Sequence, residues 1–306
     1  MEFVHKSVLL DEVLENLDIK ENGIYVDGTA GGAGHSKAIA KALNGGMLYA
    51  FDRDPDAVAV ATERLKCLPA VVIHSNYAEM AEKLAELGVN GVDGVLLDLG
   101  VSSWQLDNGE RGFSYHADAP LDMRMSKSGI SAADIVNTYS VQEITDILRD
   151  FGEEKFAYKI ACNIVRARSE KPIETTLELS DIISRSVPAA VRRDGHPARK
   201  SFQAIRIAVN EEFDAERKGI ESAFKLLKKG GRLCVITFHS LEDRLVKQMF
   251  SEFAKGCICP PDIPVCVCGR KPEGRLVTRK PIVPGSDEIN DNPRARSAKL
   301  RIIEKL

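Results

Sequence analysis

The sequence predicts an α/β protein with a doubly wound, mostly parallel sheet and an inserted helical domain. Short apolar runs alternate with helical patterns over the first hundred residues, which is typical of a parallel sheet with right-handed crossovers. From about residue 107 the pattern changes to polar loops and then to helices only, and a buried strand returns near residue 232. We therefore expect an α/β domain built from residues 1–106 and 205–306, with a mostly helical insertion over residues 107–204.

Four short apolar runs carry the first part of this prediction. Strands of a parallel sheet are buried on both faces and therefore read as near-continuous apolar segments. These runs predict strands at residues 24–26, 47–51, 71–73 and 95–97. A helical stretch over residues 78–88 places Met80, Leu84 and Leu87 on one face.

The insertion carries local signals for the starts of helices. Capping boxes, in which a Ser or Thr is followed three residues later by an acidic residue, predict helix starts at Ser131, Ser140 and Thr175. An amphipathic helical region over residues 202–228 then leads to a turn at Gly230-Gly231 and to a last buried strand, residues 232–238.

The composition is that of a folded globular protein. Of the 306 residues, 44% are apolar and 28% are charged, which excludes a disordered or fibrous class. No apolar stretch has the length of a signal peptide or of a membrane span. We therefore expect a cytoplasmic protein without a membrane partner.

The net charge of −3 at first argues against a nucleic-acid partner. Its distribution changes this conclusion, because residues 1–106 carry −8 whereas residues 155–206 carry +6 and residues 269–306 carry +5. Two basic segments suit contacts with nucleic-acid phosphates, and a solvated charged surface is the alternative for any one residue. The candidates are Arg192, Arg193, His196, Arg199, Lys200, Arg294 and Arg296.

A glycine-rich loop follows the first predicted strand. The glycines of Asp27–Ser36 let the backbone approach a ligand closely, and the start of the helix that follows favours an anionic group. The second strand ends at Asp52, where a carboxylate can accept both hydroxyls of a ribose. The two features predict a cofactor that contains a ribose, and a tight turn without a ligand is the alternative.

The glycine spacing does not choose the cofactor. The dinucleotide fingerprint is not satisfied from Gly28 onward, which disfavours NAD, and the Gly-Lys-Ser/Thr of a P-loop is missing. The pattern D-x-G-x-G-x-G of adenosylmethionine loops fits only in part, since Thr29, Gly31 and Ala33 occupy its three glycine places.

Longer motifs are more specific. They are Asp27–Ser36, Phe51–Pro55, Leu97–Ser103, Arg111–Ser114, Pro120–Met125, Ser201–Arg206, Phe238–Arg244 and Asn292–Ser297. Together they are spread over almost the whole chain, from residue 27 to residue 297, and resemble the MraW/RsmH family. The resemblance implies a Rossmann-like class I methyltransferase fold with a helical insertion. It also implies methylation of N4 of a cytosine in the decoding centre of 16S ribosomal RNA, in the small ribosomal subunit, with S-adenosylmethionine as the methyl donor.

The resemblance also implies which residues bind the cofactor. Ala33, Gly34 and His35 hold its methionine end, Asp52 binds the ribose and Tyr77 lies against the adenine. Asp98 and Gln105 are also implied in the cofactor site. Without the resemblance, Tyr77 reads as a half-buried ring covering a strand end, and His35 as a polar residue at a helix terminus.

Methyl transfer to an exocyclic amine needs positioning more than a strong base, because the lone pair of cytosine N4 is delocalised into the ring. An acceptor for the N4 hydrogens would aim that lone pair at the methyl group. Many amino-methyltransferases place Asp/Asn-Pro-Pro-Tyr after the fourth strand, whereas this chain has Asp98-Leu-Gly-Val-Ser102. We hypothesise that Asp98, or a backbone carbonyl of residues 98–102, is the acceptor; the alternative is that Asp98 only orders the loop or contacts the cofactor.

The turn after the last predicted strand is ambiguous. His239, Ser240, Asp243 and Arg244 suit the lining of a base pocket, and they equally suit a strand-to-helix turn in which Ser240 caps the helix.

Four of the seven cysteines lie close together in sequence: Cys257, Cys259, Cys266 and Cys268. Four thiolates on one short loop match a tetrahedral structural zinc site, and a cytosolic protein disfavours disulfides. The family does not require these cysteines, so such a zinc ion would be accessory. Cys67, Cys162 and Cys234 are isolated and are interpreted as core residues.

An RNA methyltransferase is the leading hypothesis. The alternatives are a methyltransferase of another substrate and a non-catalytic ribosome-assembly factor that keeps the cofactor pocket for stability. The target base must be single-stranded or flipped out of its stack, and no DNA partner is expected. A homodimer is compatible with the sequence, which does not fix the oligomeric state.

Overall fold

A computed structural model of the chain describes residues 7–189, 195–259, 265 and 267–306. They form two compact units. The first extends to Gly100 and resumes at Asp214, and the second is Val101–Phe213. Among the described residues, no helix combines the length and the apolar character needed to cross a membrane.

The first unit is built on a sheet whose described strands run in the order β3-β2-β1-β4-β5-β7-β6. The strands are β1 Ile24–Asp27, β2 Met47–Asp52, β3 Ala70–His74, β4 Val92–Asp98, β5 Leu227–Thr237, β6 Gly274–Leu276 and β7 Lys299–Lys305. The first five strands in this order pair in parallel, whereas β7 pairs antiparallel with both β5 and β6. The predicted doubly wound, mostly parallel sheet is confirmed.

Helices of the first unit connect these strands. They are α1 Leu10–Leu17, α2 Gly34–Lys41, α3 Pro55–Leu65 and α4 Met80–Glu86 before the insertion, and α12 Ser240–Phe253 and α13 Ser286–Asp291 after it, together with α11 Glu212–Leu226, which begins at the boundary between the units. The core contains the fully buried Leu48 and Leu96 of the sheet and Val13 of α1.

The second unit is helical. Its helices are α5 Ser103–Asp107, α6 Ala132–Thr138, α7 Val141–Gly152, α8 Ala157–Glu170, α9 Thr176–Ser186 and α10 Arg199–Asn210. The capping boxes predicted at Ser131, Ser140 and Thr175 are all formed. Apolar side chains from α7, α8 and α9, such as Ile144 and Ile160, form a core of its own.

The long loop between α5 and α6 is fixed by two buried polar side chains. The guanidinium of Arg111 donates to the carbonyl oxygens of Arg124 and Met125, at 2.9 Å each. Asn210 accepts from the N–H of Met125 and donates to the carbonyl of Met123, at 2.8 Å each. The loop therefore has a defined conformation although it contains little regular structure.

Three local predictions need correction. The helical region predicted over 202–228 breaks at Glu211, whose φ of 49° ends α10 before α11, Glu212–Leu226, begins. Leu87 lies beyond the end of α4 and is 52% exposed, so it does not share the buried face of Met80 and Leu84. The glycine turn predicted before β5 lies inside an irregular stretch of that strand, where its register with β4 shifts.

The chain order of the strands creates a switch point between β1 and β4. The connections run outward from β1 to β2 and β3, and then return to β4 on the other side of β1. In open α/β sheets, ligands bind outside the carboxyl ends of the strands at such a point. Asp27 ends β1 and Asp98 ends β4 there.

Asp27 is fully buried and joins the elements around this point. Its Oδ1 accepts from the N–H of Thr29 at 3.0 Å, and its Oδ2 accepts from the hydroxyl of Ser36 in α2 at 2.6 Å. Thr29 Oγ1 in turn accepts from the N–H of Asp98 at 2.7 Å. The loop after β1 is thereby tied to α2 and to the end of β4.

Asp27→Ala is expected to lower the free energy of unfolding by about 2 to 4 kcal/mol, because it leaves buried donors without an acceptor. Urea unfolding of the purified protein measures this change. Glu63→Ala is the control, since the Glu63 side chain is 78% exposed in its ion pair with Lys66 and such pairs contribute little. A loss no larger than that of the control would contradict the structural role of Asp27.

Candidate active site

The loop between β1 and α2 brings the backbone close to its neighbours. A Cβ at Gly28 would lie 2.4 Å from Leu97 Cδ2, so only glycine fits there. Ala33 takes a left-handed conformation, with φ of 60°, directly before α2. The first-turn N–H groups of a helix have no intrahelical acceptor, and those of Gly34 and His35 begin α2. This end of α2 is suited to a carboxylate or phosphate.

The carboxylate of Asp52 faces the same loop from the end of β2. Its Oδ2 accepts from the N–H of Gly31 at 2.7 Å, and its Oδ1 accepts from the N–H of Asp54 at 2.8 Å. Burial raises the pKa of Asp52 to about 6, against the opposing effect of these two hydrogen bonds. Each carboxylate oxygen has a second lone pair, so Asp52 can still accept hydroxyl groups.

Tyr77 follows β3 in a short 3-10 turn, Tyr77–Glu79. Its half-buried ring packs on α11, where a Cβ at Gly219 would lie 2.3 Å from the ring. A Cβ at Gly28 would lie 3.0 Å from the Cβ of Tyr77. Tyr77 therefore lies beside the glycine-rich loop, with its ring held by α11.

The ring of His35 is buried, at 6% exposure, and is held from both sides. Its Nε2 is 2.9 Å from the carbonyl oxygen of Val8, which can only accept, so Nε2 carries the hydrogen. Nδ1 lies 3.7 Å from Asp98 Oδ2. An anionic ligand at the start of α2 would therefore meet the backbone N–H of His35 and not its ring.

Asp98 differs from Asp27 and Asp52 because one of its carboxylate oxygens has no hydrogen-bond donor among the described residues. Its Oδ1 is buried, and no described residue hydrogen-bonds to it. Burial raises the pKa of Asp98 to about 6; His35 opposes this shift, and the charges of Asp27 and Glu242 add to it. A buried acceptor without a donor is costly in a folded protein and is frequent at functional sites.

The turn from β5 to α12 is held by Glu242, which sequence reasoning missed. Its fully buried carboxylate accepts from the N–H groups of Phe238 and His239, at 2.7 and 3.1 Å. The prediction that Ser240 caps the helix is wrong: the imidazole of His239 accepts from the N–H of Glu242 and is the cap. Asp243 forms ion pairs with Lys299 and Arg301 of β7, which hold the pKa of its carboxyl below the usual range.

Gln105 belongs to the helical unit. Its side-chain oxygen accepts from the N–H of Ser102 at 3.0 Å, and its own N–H donates to the Ser102 hydroxyl at 3.2 Å. This capping box begins α5, and the side chain of Gln105 is buried. The structure thus shows a local role for Gln105.

The basic candidates lie in several places. Arg199 and Lys200 are exposed in the first turn of α10, and Arg294 and Arg296 are exposed in the 3-10 segment Pro293–Ser297. Arg192 and Arg193 lie outside the described residues.

His196 belongs to a group of rings in the helical unit. It stacks on Tyr115 with ring centroids 4.5 Å apart, and the ring of His116 lies 5.3 Å away. Burial and the neighbouring His116 lower the pKa of His196. A neutral imidazole and a phenol ring are suited to stacking against a base.

The cysteines fall into two groups. The Sγ atoms of Cys257, Cys259 and Cys268 lie within 4.8 Å of one another, and Cys266 lies outside the described residues. Of the three isolated cysteines, Cys234 is fully buried as predicted, and burial raises the pKa of its thiol to about 12. Cys162 is half-buried. Cys67 is exposed, so the interpretation of Cys67 as a core residue is wrong.

The chain is similar to known methyltransferases along its whole length. It is 55% identical over 311 residues to Ribosomal RNA small subunit methyltransferase H of Lachnospira eligens, covering 100% of this chain and 99% of that protein. It is 52% identical over 311 residues to the protein of the same name from Clostridioides difficile, with both chains fully covered. Among solved structures, an rRNA methylase from Streptococcus thermophilus is 13% identical, with 97% of this chain and 93% of that chain covered and a TM-score of 0.42. Residues 2–306 match the MraW methylase family, and the chain belongs to that family.

Proposed function

We propose that the protein methylates N4 of a cytosine in the decoding centre of 16S ribosomal RNA, with S-adenosylmethionine as the methyl donor. Membership of a methylase family and relatives named as small-subunit ribosomal RNA methyltransferases support this reaction class. The observation that carries the proposal is the buried Oδ1 of Asp98, an acceptor without a described donor at the switch point of the sheet.

The residues at the switch point fit an adenosyl cofactor. Asp52 would accept the ribose hydroxyls, and the N-terminal turn of α2 at Gly34 and His35 would bind the carboxylate of the methionine end. Ala33, directly before that turn, would line the same end, and Tyr77 would lie against the adenine. When bound, S-adenosylmethionine supplies a methyl group on a positively charged sulfur.

Asp98 would act on the amine that receives the methyl group. Its carboxylate would accept a hydrogen bond from the N4 amine and hold the nitrogen lone pair in line for transfer. With a pKa of about 6 it is ionised at neutral pH, and it can take up the proton that N4 loses and pass it to water. One carboxylate therefore suffices for orientation and for removal of the proton.

The helical unit would bind the RNA. Lys200 and Arg199 are exposed at the start of α10 and suit phosphate contacts. The stacked Tyr115 and His196, with the exposed His116, suit contacts with unpaired bases. We assign substrate recognition to the insertion over residues 107–204, and a cofactor contact to Gln105, as the family resemblance implies.

Labelled methyl transfer tests the reaction. We expect the protein to transfer labelled methyl from S-adenosylmethionine to small ribosomal subunits or 16S RNA lacking the modification, and nuclease mapping to place the label on one cytosine at N4. Label on another base or position would assign a different substrate. Absence of label, with stable binding to the subunit, would favour a non-catalytic assembly factor.

Asp98→Asn is expected to lower the single-turnover methylation rate by about 100-fold or more, because an amide cannot take up the proton and accepts hydrogen bonds less strongly. The affinity for S-adenosylhomocysteine, measured by calorimetry, should change less than fivefold. Normal methylation combined with weakened cofactor binding would reduce Asp98 to a cofactor contact. Asp118→Asn, at an exposed carboxylate of the helical unit, is the control.

Asp98→Asn is also expected to be more stable than the wild type at pH 7.5. The folded-state pKa of Asp98 is raised to about 6, so the native protein retains a proton that the unfolded chain has lost, and wild-type stability falls as the pH rises from 4 to 6. Asn does not titrate, so Asp98→Asn should gain about 3 kcal/mol at pH 7.5 and almost nothing at pH 4. Urea unfolding at the two pH values measures this, and equal gains at both would contradict the raised pKa.

Reversal of the two charges at the start of α10, Arg199→Glu with Lys200→Glu, is expected to weaken binding of 16S RNA about tenfold or more at moderate salt. Acidic residues in a first helical turn are favourable, so folding should not suffer. Filter binding at several salt concentrations should show a smaller salt slope. Lys66→Glu, at a side chain 72% exposed in the other unit, is the control; an equal loss in both proteins would remove α10 from the RNA interface.

A further inference from the structure

The loop between α12 and β6 gathers three sulfur atoms. Cys257 and Cys259 follow the end of α12 at Phe253, and Cys268 precedes β6 by a few residues. Each side chain offers a sulfur within 4.8 Å of the other two, and the Sγ atoms of Cys257 and Cys268 are 3.7 Å apart. The methyl transfer proposed above uses none of them.

The sulfur spacing matches a shared metal ion. A disulfide requires sulfur atoms about 2.05 Å apart. Two thiolates on one tetrahedral zinc ion, with Zn–S bonds of about 2.3 Å, lie about 3.8 Å apart. The 3.7 Å between Cys257 and Cys268 therefore agrees with joint coordination and is much longer than a disulfide bond.

Backbone N–H groups point at two of the sulfurs. The N–H of Cys259 donates to Cys257 Sγ, and the N–H of Val267 donates to Cys259 Sγ, at 3.4 Å each. Hydrogen bonds of this kind favour the thiolate over the thiol, and the thiolate is the form that binds metals. Such outer contacts also orient metal ligands.

Hydrophobic burial does not hold this loop in place. Its described apolar side chains are exposed, by 53% for Ile258, 71% for Val265 and 77% for Val267. At the end of the loop, the backbone N–H of Glu273 donates a hydrogen bond to the carbonyl oxygen of Phe253. A segment with so little burial is of the kind that a structural metal stabilises in small domains.

We propose that Cys257, Cys259 and Cys268 bind a zinc ion that cross-links this loop. The soft sulfur ligands select zinc over magnesium or calcium, and the site is structural because it lies outside the residues assigned to methyl transfer. Binding releases the thiol protons and involves no change in oxidation state.

Elemental analysis of the full chain, purified in reducing buffer without chelators, tests the proposal. We expect about one zinc ion per chain in the wild type, and zinc retention at least tenfold lower in Cys257→Ser and Cys268→Ser. Cys67→Ser is the control, because Cys67 is exposed and not part of the cluster, and it should keep its zinc.

Cobalt substitution gives an independent readout. Co²⁺ added to the chelated wild type should give the intense visible absorption of a tetrahedral thiolate complex, and the two cluster variants should lose it. The proposal is overturned if the wild type neither contains zinc nor binds Co²⁺, or if Cys257→Ser retains both. Circular dichroism of each variant shows that loss of metal is not a consequence of global unfolding.

Discussion

The buried carboxylate of Asp27 is the constraint on which the rest of the site depends. It lies at the switch point of the sheet and binds Thr29 in the glycine-rich loop and Ser36 in α2. Through the Thr29 hydroxyl it also fixes the backbone of Asp98 at the end of β4. Asp27 is fully buried and orders the loop, whereas Asp52 and Asp98 are half-buried and remain able to accept from a ligand.

This arrangement concentrates negative charge where the sheet ends. Asp27 and Glu242 both raise the pKa of Asp98, and burial raises the pKa values of Asp98 and Asp52 to about 6. Such crowding destabilises the folded protein at neutral pH. Under the proposed function it supplies acceptors for a ribose and for an amine, together with a local field that favours a positively charged ligand. The proposed function would thus explain the stability lost at this edge of the sheet.

The parallel strands could be predicted because each is a short apolar run, and Asp52 and Asp98 could be found because they end such runs. Strand β7 could not be found in this way, since charged side chains interrupt its buried Leu300, Ile302 and Ile303 and leave no long apolar run. Its partner β5 also lies some sixty residues earlier in the chain. The role of the His35 ring depends on the carbonyl of Val8, 27 residues away, which no local pattern shows. Asp27 carried a signal that could have been used, namely a carboxylate directly at the end of a buried strand.

Calorimetric titration with S-adenosylhomocysteine and, separately, with NAD tests most directly whether the carboxyl edge of this sheet is an adenosylmethionine site. We expect that one S-adenosylhomocysteine binds per chain, that Asp52→Ala weakens this binding at least tenfold, and that NAD gives no measurable binding. Binding of NAD in preference to S-adenosylhomocysteine, or binding of S-adenosylhomocysteine that Asp52→Ala leaves unchanged, would contradict this assignment.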